Sequence, residues 1–529
     1  MLIRSRAYIL DELAYRHQVL QSSEDTALDS LRLEYQALAT LQAEHFFAGT
    51  RDSRSEETLS RVRKELETVD RHLGRLSSKH RAIQGRHRLS EQIGFEEVVG
   101  SLPPSSALVG FVRFGNITSV EHLEPGQKKN TEWQSLPNVG IMTRPGKTEG
   151  AYAAYVVEGG TTDPKFVYLG SAKTIESEIA TWKRGVESRG VKTLRPPGSK
   201  VRELIWDPIA SSVRDADLIF LVPDGDINHV SFDALPVSEG EFLCETAPLI
   251  HYLSAERDLV TESETPSGRG LLVVGGPSFW TNTDDAPADG DDAPGETYRG
   301  LRARADVYPS SIEHRGGIFF NRLPFAEREA EAVAKLWKAY RKEPIVKLTG
   351  EKATEKQFKE HVKGSRVIHV ATHAFFTGEA SGPAARYQPF RLSGMAFAGA
   401  NAPGAVSGAS DGILYAEEVA VMDLSGVEWV VLSACETGIG AIETRQGVLG
   451  LRRAFKDAGA NTLIMSLWRV ADDATQEWMQ ELYRARLNGA STAEAIRQSN
   501  LTVLKARRAS GESDHPFFWA GFVGTGDWD

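Results

Sequence analysis

The sequence predicts an α/β protein with a mostly parallel sheet, preceded by an α-helical N-terminal segment. Two patterns predict this class. Through residues 1–98, apolar residues recur at alternating steps of three and four, which keeps them on one face of a helix. Beyond residue 100, short runs rich in Val, Ile, Phe and Tyr alternate with helical segments such as 174–189 and 325–341. That alternation is typical of a sheet with helices packed on its faces.

The N-terminal segment predicts a helical hairpin. One apolar stripe runs through residues 28–41 and a second through 59–76, with the polar stretch GTRDSRSEE at 49–57 between them. A helix with a single apolar stripe needs a neighbour that buries it. That neighbour is either the domain that follows or a separate partner protein, and the pattern alone does not choose between them.

These changes of pattern divide the chain into a helical segment at 1–98, an α/β supporting region at 101–330 and a second α/β region at 331–529. Two stretches, TNTDDAPADGDDAPGE at 281–296 and FAGANAPGAVSGASDG at 397–412, predict loops because they are rich in turn-forming or small residues. The second is either a surface insertion or a mobile loop beside a functional site.

The composition narrows the classes of function. Hydrophobic residues make up 41% and charged residues 25% of the 529, as in globular proteins. A net charge of −11 does not favour a nucleic-acid-binding surface. No apolar run approaches the ~20 residues that span a bilayer, and the charged N-terminus does not resemble a signal peptide. Two cysteines exclude a disulfide framework, so we expect a cytoplasmic protein.

Two apolar runs end in residues that could carry chemistry. The run at 430–432 leads to Cys435, and SRVIHVATHAFF at 365–376 contains His373. Catalytic groups collect beyond the carboxyl ends of parallel strands. If the two strands are neighbours, the imidazole lies beside the thiol and can hold it as the nucleophilic thiolate. The alternative is a cysteine packed in the core, which is the interpretation we prefer for Cys244.

His369 offers competing interpretations because it precedes His373 by only four residues. It lies within the body of the predicted strand, so we expect it to pack against a helix or join a core hydrogen bond. Metal binding by His369, His373 and Cys435 is the competing chemistry. A His-x-x-x-His pair suits a metal when both lie on one helix face, whereas this segment predicts a strand. We therefore expect neither a metal nor a cofactor.

Several motifs in order resemble one family. They are LIFLVPDGDINHVSFDALP at 218–236, LPFAEREAEAV at 323–333, VIHVATHAFF, DGILYAEEVAVMDLSGVEWVVLSACETGIG, GVLGLRRAFKDAGANTLIMSLWRVADDAT and HPFFWAGFVGTG. This series resembles the CHAT family, caspase-like cysteine peptidase domains that usually follow arrays of TPR helices. The resemblance covers roughly residues 200–527, and residues 1–98 resemble the helical segment that precedes such domains.

The resemblance implies a caspase-like three-layer α/β/α sandwich and a cysteine endopeptidase that cleaves protein substrates. It makes His373 the general base and Cys435 the nucleophile, with an oxyanion hole from the backbone N–H groups of Ala374 and Cys435. Ala374 stands where many relatives have Gly, and an Ala resists positive φ. Region 101–330 resembles the inactive half that precedes the active one in separase.

The resemblance also points to a pocket for the side chain before the cut bond, the P1 residue. The segment SLWRVADDAT at 466–475 resembles a Leu-Trp-Asp-Val-Thr-Asp run of separase. Arg469 would favour an acidic P1, whereas Asp472 would favour a basic one, since a carboxylate in a partly dry pocket pairs with Arg or Lys. We prefer the basic P1, with Asp472 at the pocket floor. Alternatively, Asp472 or Asp473 only caps a helix that begins near 474.

Two broader alternatives stay open. The chain is either an active peptidase or a catalytically silent scaffold that uses the caspase-like fold to bind proteins. If it is active, a protein partner that binds the N-terminal helices is the expected activator, because such binding could order the loop at 397–412.

Overall fold

The computed structural model describes residues 93–117, 149–188, 191–260, 267–280, 311–314, 317–323, 325–376, 393–401, 412–434, 441–443, 447–468, 470 and 472–528, with a few positions elsewhere. Most of the N-terminal segment lies outside the described residues, as do the loop at 281–296, residues 402–411, Cys435 and Arg469. The three-region division of the chain stays a prediction. The described residues fall into two compact units, one within Ile93–Thr261 and one from Glu262 onward, apart from Ile442–Gly447, which belongs to the first.

The first unit has a five-stranded mixed sheet. Its strand order is β7-β6-β1-β4-β5, with β1, β6 and β7 parallel and β4 and β5 antiparallel. The bounds are β1 (Ser106–Ile117), β2 (Gln134–Ser135), β3 (Met142–Thr143), β4 (Glu149–Glu158), β5 (Lys165–Ser171), β6 (Leu218–Val222), β7 (Leu249–Tyr252), α1 (Phe95–Gly100), α2 (Ala172–Glu187), α3 (Val191–Ile205), α4 (Asp207–Val213) and α5 (Leu243–Thr246).

The turn after β6 shows why Pro-Asp-Gly stands there. Asp224 is buried, and its carboxylate accepts the backbone N–H of Arg113 on the neighbouring β1 at 2.8 Å. Gly225 has φ +54° and packs so closely that an added Cβ would lie 2.2 Å from the Tyr152 hydroxyl. The turn therefore needs glycine for both its conformation and its space, and the Asp224 contact joins the end of β6 to the body of β1.

The second unit has a six-stranded sheet in the order β11-β8-β12-β16-β19-β20, parallel except for β20. A smaller antiparallel sheet contains β13, β14 and β15. The strands are β8 (Leu271–Pro277), β9 (Ser311–His314), β10 (Gly317–Phe320), β11 (Ile345–Gly350), β12 (Val367–Ala371), β13 (Ala374–Phe376), β14 (Ser393–Ala396), β15 (Ile413–Tyr415), β16 (Trp429–Ser433), β19 (Thr462–Ser466) and β20 (Phe522–Gly526).

Two further short strands, β17 (Ala441–Glu443) and β18 (Gly447–Leu449), form a two-stranded sheet of their own. The helices that follow the strands of the second unit are α6 (Ala326–Tyr340), α7 (Glu355–Val362), α8 (Ala416–Ala420), α9 (Leu451–Asp457), α10 (Asp472–Leu487) and α11 (Thr492–Ala509).

Helices cover both faces of the six-stranded sheet, as β20 makes clear. Phe522 stacks on Trp478 of α10, with ring centroids 4.3 Å apart. Three positions on, Thr525 accepts a hydrogen bond from Arg452 of α9 at 3.1 Å. Side chains three apart on a strand point to opposite faces, so α9 and α10 lie on opposite sides. The prediction of a layered α/β fold with a mostly parallel sheet is confirmed.

The sheet order brings the two predicted site strands together. β12 and β16 are parallel neighbours, and their register aligns Ala371 with Ser433. His373 and Cys435 each follow these aligned positions by two residues. The two strands are therefore neighbours, as the expected pairing of imidazole and thiol requires, although Cys435 itself lies outside the described residues.

Candidate active site

His373 lies just beyond the carboxyl end of β12 and is only 2% exposed. Its Nε2 is 2.7 Å from the backbone oxygen of Asn321. A carbonyl oxygen can only accept, so Nε2 must carry a proton in this contact. In the neutral imidazole the basic lone pair is then on Nδ1. The chain thus fixes the tautomer of His373 with a main-chain group rather than with a carboxylate.

Aromatic rings enclose this imidazole. The ring centroids of Phe279 and Phe320 are 5.2 Å and 5.7 Å from that of His373. Both phenylalanines belong to a buried cluster with Phe375 and Tyr415. An apolar surrounding strengthens the contact with the Asn321 carbonyl, because less water competes for either group.

The backbone after His373 leaves one N–H directed away from its own sheet. Ala396 donates to the carbonyl of His373 at 2.9 Å, so these two residues form a hydrogen-bonded pair. Such pairs alternate with non-hydrogen-bonded pairs in an antiparallel ladder. The next pair, Ala374 with Met395, is therefore of the second kind, and the Ala374 N–H points away from β14.

Ala374 also has no need of glycine. Among the non-glycine residues that the structure describes, positive φ occurs only at Ser105. Ala374 therefore has an ordinary φ. An alanine therefore fits the backbone at this position, because the strand β13 begins here without a left-handed residue.

Asn401 holds the segment that supplies the carbonyl. Its Oδ1 accepts the Phe320 N–H at 2.8 Å, and its Nδ2 donates to the Phe320 oxygen at 2.8 Å. The side chain is buried, with 6% exposed. Sequence reasoning missed both Asn321 and Asn401, since Asn401 stands in the Gly- and Ala-rich stretch interpreted as a loop. The one available signal was a lone amide in that small-residue stretch.

Ser466 makes a similar contact next to the other strand end. It is the last residue of β19 and fully buried, and its hydroxyl donates to the oxygen of Ala434 at 2.5 Å. Ala434 directly precedes Cys435 in the chain. The hydroxyl therefore fixes the plane of the peptide group that joins these two residues.

His369 occupies the core, as expected. It is fully buried, and its Nε2 lies 3.0 Å from Oε1 of Glu329 on α6. Its ring is 5.6 Å from that of Tyr483 on α10. Burial and the nearby Glu329 carboxylate raise the pKa of Tyr483 well above its ordinary value.

Among the described residues, no group of three His, Cys, Asp or Glu side chains is suited to hold a metal ion.

The side chains of the remaining predicted site residues lie outside what the structure describes. Cys435 and Arg469 lie outside the described residues, and of Asp472 and Asp473 only the backbone is described. That backbone is helical, because α10 begins at Asp472 rather than near 474. Their roles as nucleophile and pocket residues stay predictions. Cys244 is buried, as predicted for a core thiol.

A second polar cluster in the first unit contains Arg113 of β1, Tyr152 of β4, Glu176 of α2 and Asp226 after β6. Arg113 pairs with Glu176, and the Tyr152 hydroxyl lies 3.2 Å from the same carboxylate and accepts the Asp226 N–H at 3.0 Å. Burial, and then Glu176, raise the pKa of both Tyr152 and Asp226. These contacts join β1, β4 and the turn after β6 to α2.

The chain matches one protein-family model and is similar to parts of several known proteins. The family model described as the CHAT domain matches residues 195–527. Tetratricopeptide repeat protein 28 of Homo sapiens is 27% identical over 235 residues, which cover 41% of this chain and 9% of that protein. The Mus musculus protein of the same name is 32% identical over 97 residues, 18% of this chain and 4% of that protein. The chain thus spans less than a tenth of these relatives' length.

Two solved structures are also similar. The Saccharomyces cerevisiae separase–securin complex matches with a TM-score of 0.41 and 10% identity, over 96% of this chain and 36% of that one. The Arg-specific cysteine proteinase gingipain R matches with a TM-score of 0.35 and 11% identity, over 67% of this chain and 75% of that one. In the part of this chain that the structure describes, no helix is long and apolar enough to cross a membrane.

Proposed function

We propose that this chain, which belongs to the CHAT family, is a cysteine endopeptidase in which His373 and Cys435 form the catalytic dyad. The observation that carries this proposal is the contact between His373 Nε2 and the Asn321 oxygen at 2.7 Å. It leaves Nδ1 as the basic atom of the neutral ring. A base oriented by a third group is the arrangement that activates a nucleophile in hydrolases of this kind.

In the proposed reaction, His373 Nδ1 takes the thiol proton of Cys435, and the thiolate attacks the carbonyl carbon of the peptide bond. The resulting imidazolium donates its proton to the leaving amine as the C–N bond breaks, which leaves a thioester. Water then attacks the thioester while Nδ1 takes its proton. The thiolate leaves, and the acid product is released.

The negative charge on the tetrahedral oxygen needs N–H donors. The Ala374 N–H supports its proposed role, because the strand pairing turns it away from β14. The N–H of Cys435 is the second proposed donor. Preorganised donors of this type are each worth roughly 10²–10³-fold in rate.

We further propose that the substrate is a protein with Arg or Lys at P1, read by Asp472, with Asp473 and Arg469 in the same segment. A protein partner bound to the N-terminal helices is the proposed activator, and the cytoplasm is the proposed compartment.

A panel of fluorogenic peptides that differ only at P1 tests the proposed P1 pocket. Preference for Asp or Glu, or unchanged cleavage after Arg by Asp472→Ala, would contradict it.

The dyad itself is tested without knowing the substrate. Alkylation by iodoacetamide, followed by mass spectrometry, reports the thiolate fraction of each cysteine across pH. We expect Cys435 to react at mildly acidic pH and His373→Ala to remove that reactivity. Cys244, which is buried, serves as the internal control for unfolding. Equal Cys435 reactivity in the native chain and in His373→Ala would show that the imidazole does not activate the thiol.

The alternative is a silent caspase-like scaffold that binds proteins. Its distinguishing outcome is an unreactive Cys435 in a chain that still captures a partner. The tautomer imposed on His373 favours the peptidase, because a scaffold has no need of a basic Nδ1.

A further inference from the structure

We infer that Asn401 is a positioning residue for His373: its side-chain amide clamps Phe320 and thereby holds the Asn321 carbonyl against the imidazole Nε2–H. This inference rests on the proposed function for its meaning, although the contact itself does not depend on catalysis. The hydrogen bonds described for the Asn401 side chain both go to Phe320, so it acts on His373 through the backbone of residues 320 and 321.

The clamp is specific to an amide. The Phe320 N–H donates to Asn401 Oδ1, and Asn401 Nδ2 donates to the Phe320 oxygen, each at 2.8 Å. Of the common side chains, only Asn and Gln present an acceptor and a donor side by side in this way. Asp offers two acceptors, so it would face the Phe320 oxygen with a second oxygen.

The clamp reaches the imidazole through one peptide plane. The Phe320 oxygen belongs to the peptide group that joins Phe320 to Asn321, and that group is planar. Fixing this oxygen fixes the plane from which Asn321 continues. The Asn321 oxygen, one residue further, is the acceptor 2.7 Å from His373 Nε2. Along this path, only the φ and ψ angles of Asn321 then separate the fixed plane from the acceptor of the imidazole N–H.

The backbone of Asn401 also binds the segment that carries Phe279. Its backbone N–H donates to the Phe279 oxygen at 2.9 Å, and Gly399 donates to the Ser278 oxygen at 3.0 Å. The Phe279 ring lies 5.2 Å from that of His373. Asn401 therefore joins the segments that carry Phe279 and Phe320, the two rings described above against the imidazole.

The test measures exchange of the His373 Nε2 proton with water by ¹H–¹⁵N NMR, in full-length chain carrying Cys435→Ala so that no thiol shares the proton. The His373→Ala variant assigns the signal. We expect Asn401→Ala and Asn401→Asp to speed this exchange about tenfold or more, the loss of roughly one hydrogen bond. In the chain with Cys435, kcat for a cleaved peptide should fall by a similar factor with KM little changed.

Asn500→Ala is the matched control. Asn500 is a fully buried asparagine of the same unit whose Oδ1 accepts the Trp478 indole N–H at 2.8 Å. This variant should lose stability like Asn401→Ala yet leave the His373 proton protected. Equal protection in the native chain and both Asn401 variants would overturn the inference.

Should neither Asn401 variant fold, the chain carrying only Cys435→Ala still decides. The Phe320 amide and the His373 Nε2 proton are held by one clamp, so they should become exchangeable together as denaturant is raised below the unfolding transition. A protected Nε2 proton after the Phe320 amide has exchanged would overturn the inference. This readout needs no turnover, so an unreactive Cys435 would defeat the peptidase proposal and leave this result intact.

Discussion

Two histidines four residues apart show how a strand separates structure from chemistry. His369 lies in the body of β12 with a carboxylate of Glu329 as its partner, and His373 lies past the strand end with a backbone carbonyl as its partner. Both are nearly inaccessible to solvent. Burial therefore does not distinguish them, whereas the partner and the position along the strand do.

The partners have different chemical consequences. A carboxylate can hold either the neutral or the charged imidazole, and it fills the hydrogen-bonding need of a buried ring in the core. A carbonyl accepts from one nitrogen and leaves the other as the base. His373, beyond the end of β12, therefore has the hydrogen bonding that the proposed base requires, while His369 in the body of the strand pairs with a core carboxylate.

Removal of either residue of the proposed dyad should have the largest effect on peptide cleavage. His373→Ala and Cys435→Ala should each lower peptide cleavage by at least ~10²-fold, since the base and the nucleophile act together. The double variant should be no worse than either single one. Cleavage kinetics with urea unfolding of each variant check this. Substantial turnover by either folded single variant would remove the dyad assignment.

His369→Ala should instead act on stability. It leaves the buried Glu329 carboxylate without its imidazole, which costs about 1–3 kcal/mol or more of the free energy of unfolding. Reactivity of Cys435 towards iodoacetamide should stay near the native rate in the folded fraction. Glu329→Gln, which keeps a hydrogen-bonding atom at the same place, should cost less. If His369→Ala abolished thiol reactivity while remaining stable, the division between the two histidines would be wrong.

Ser466 extends the comparison to the neighbouring strand. Ser466→Ala removes the hydrogen bond to Ala434 and should lower kcat by about 2- to 10-fold, because the peptide plane before Cys435 is less fixed. Ser499→Ala is the matched control, since Ser499 is also fully buried in this unit and donates to a carbonyl at 2.8 Å. Equal kcat in the two variants would make Ser466 a structural residue only.

The smallest effect is expected at Tyr483. Its ring packs between Trp429 and His369, and its hydroxyl is buried with no hydrogen-bond partner among the described residues. Tyr483→Phe keeps the ring and removes the unsatisfied hydroxyl. The free energy of unfolding should stay the same or rise by up to about 1 kcal/mol. A clear loss in urea unfolding would mean that the hydroxyl has a stabilising role in the core.

Much of this arrangement follows from local pattern. The run at 367–371 is apolar except for His369, and the end of that run predicted His369 in the strand body and His373 beyond the strand end. The adjacency of β12 and β16 was implied by the resemblance to the caspase-like fold, because local pattern does not determine strand order. The Asn321 carbonyl and the Asn401 amide could not be foreseen, because a backbone acceptor has no sequence signature and the clamp joins residues 81 positions apart.

The start of α10 shows a different limit. Two adjacent aspartates allowed either a substrate-reading carboxylate or a cap for a helix that begins near 474, and the sequence offers no further observation that separates these roles. The helix begins at Asp472, so both lie in its first turn, where carboxylates interact favourably with the helix dipole. Their orientation towards a substrate depends on side chains that local pattern does not determine.

The base of the loop that follows Asn401 bears on how this protein can be engineered. Phe397 donates to the Gly412 oxygen at 2.6 Å, and Gly412 has φ +81° with an added Cβ only 2.7 Å from the Ala400 nitrogen. A hydrogen bond thus closes the two ends of residues 398–411, and doubling a closed loop costs only about 0.6 kcal/mol. We therefore expect a reporter or binding peptide inserted between residues 402 and 411 to leave the free energy of unfolding little changed, provided that Asn401 and Gly412 are kept.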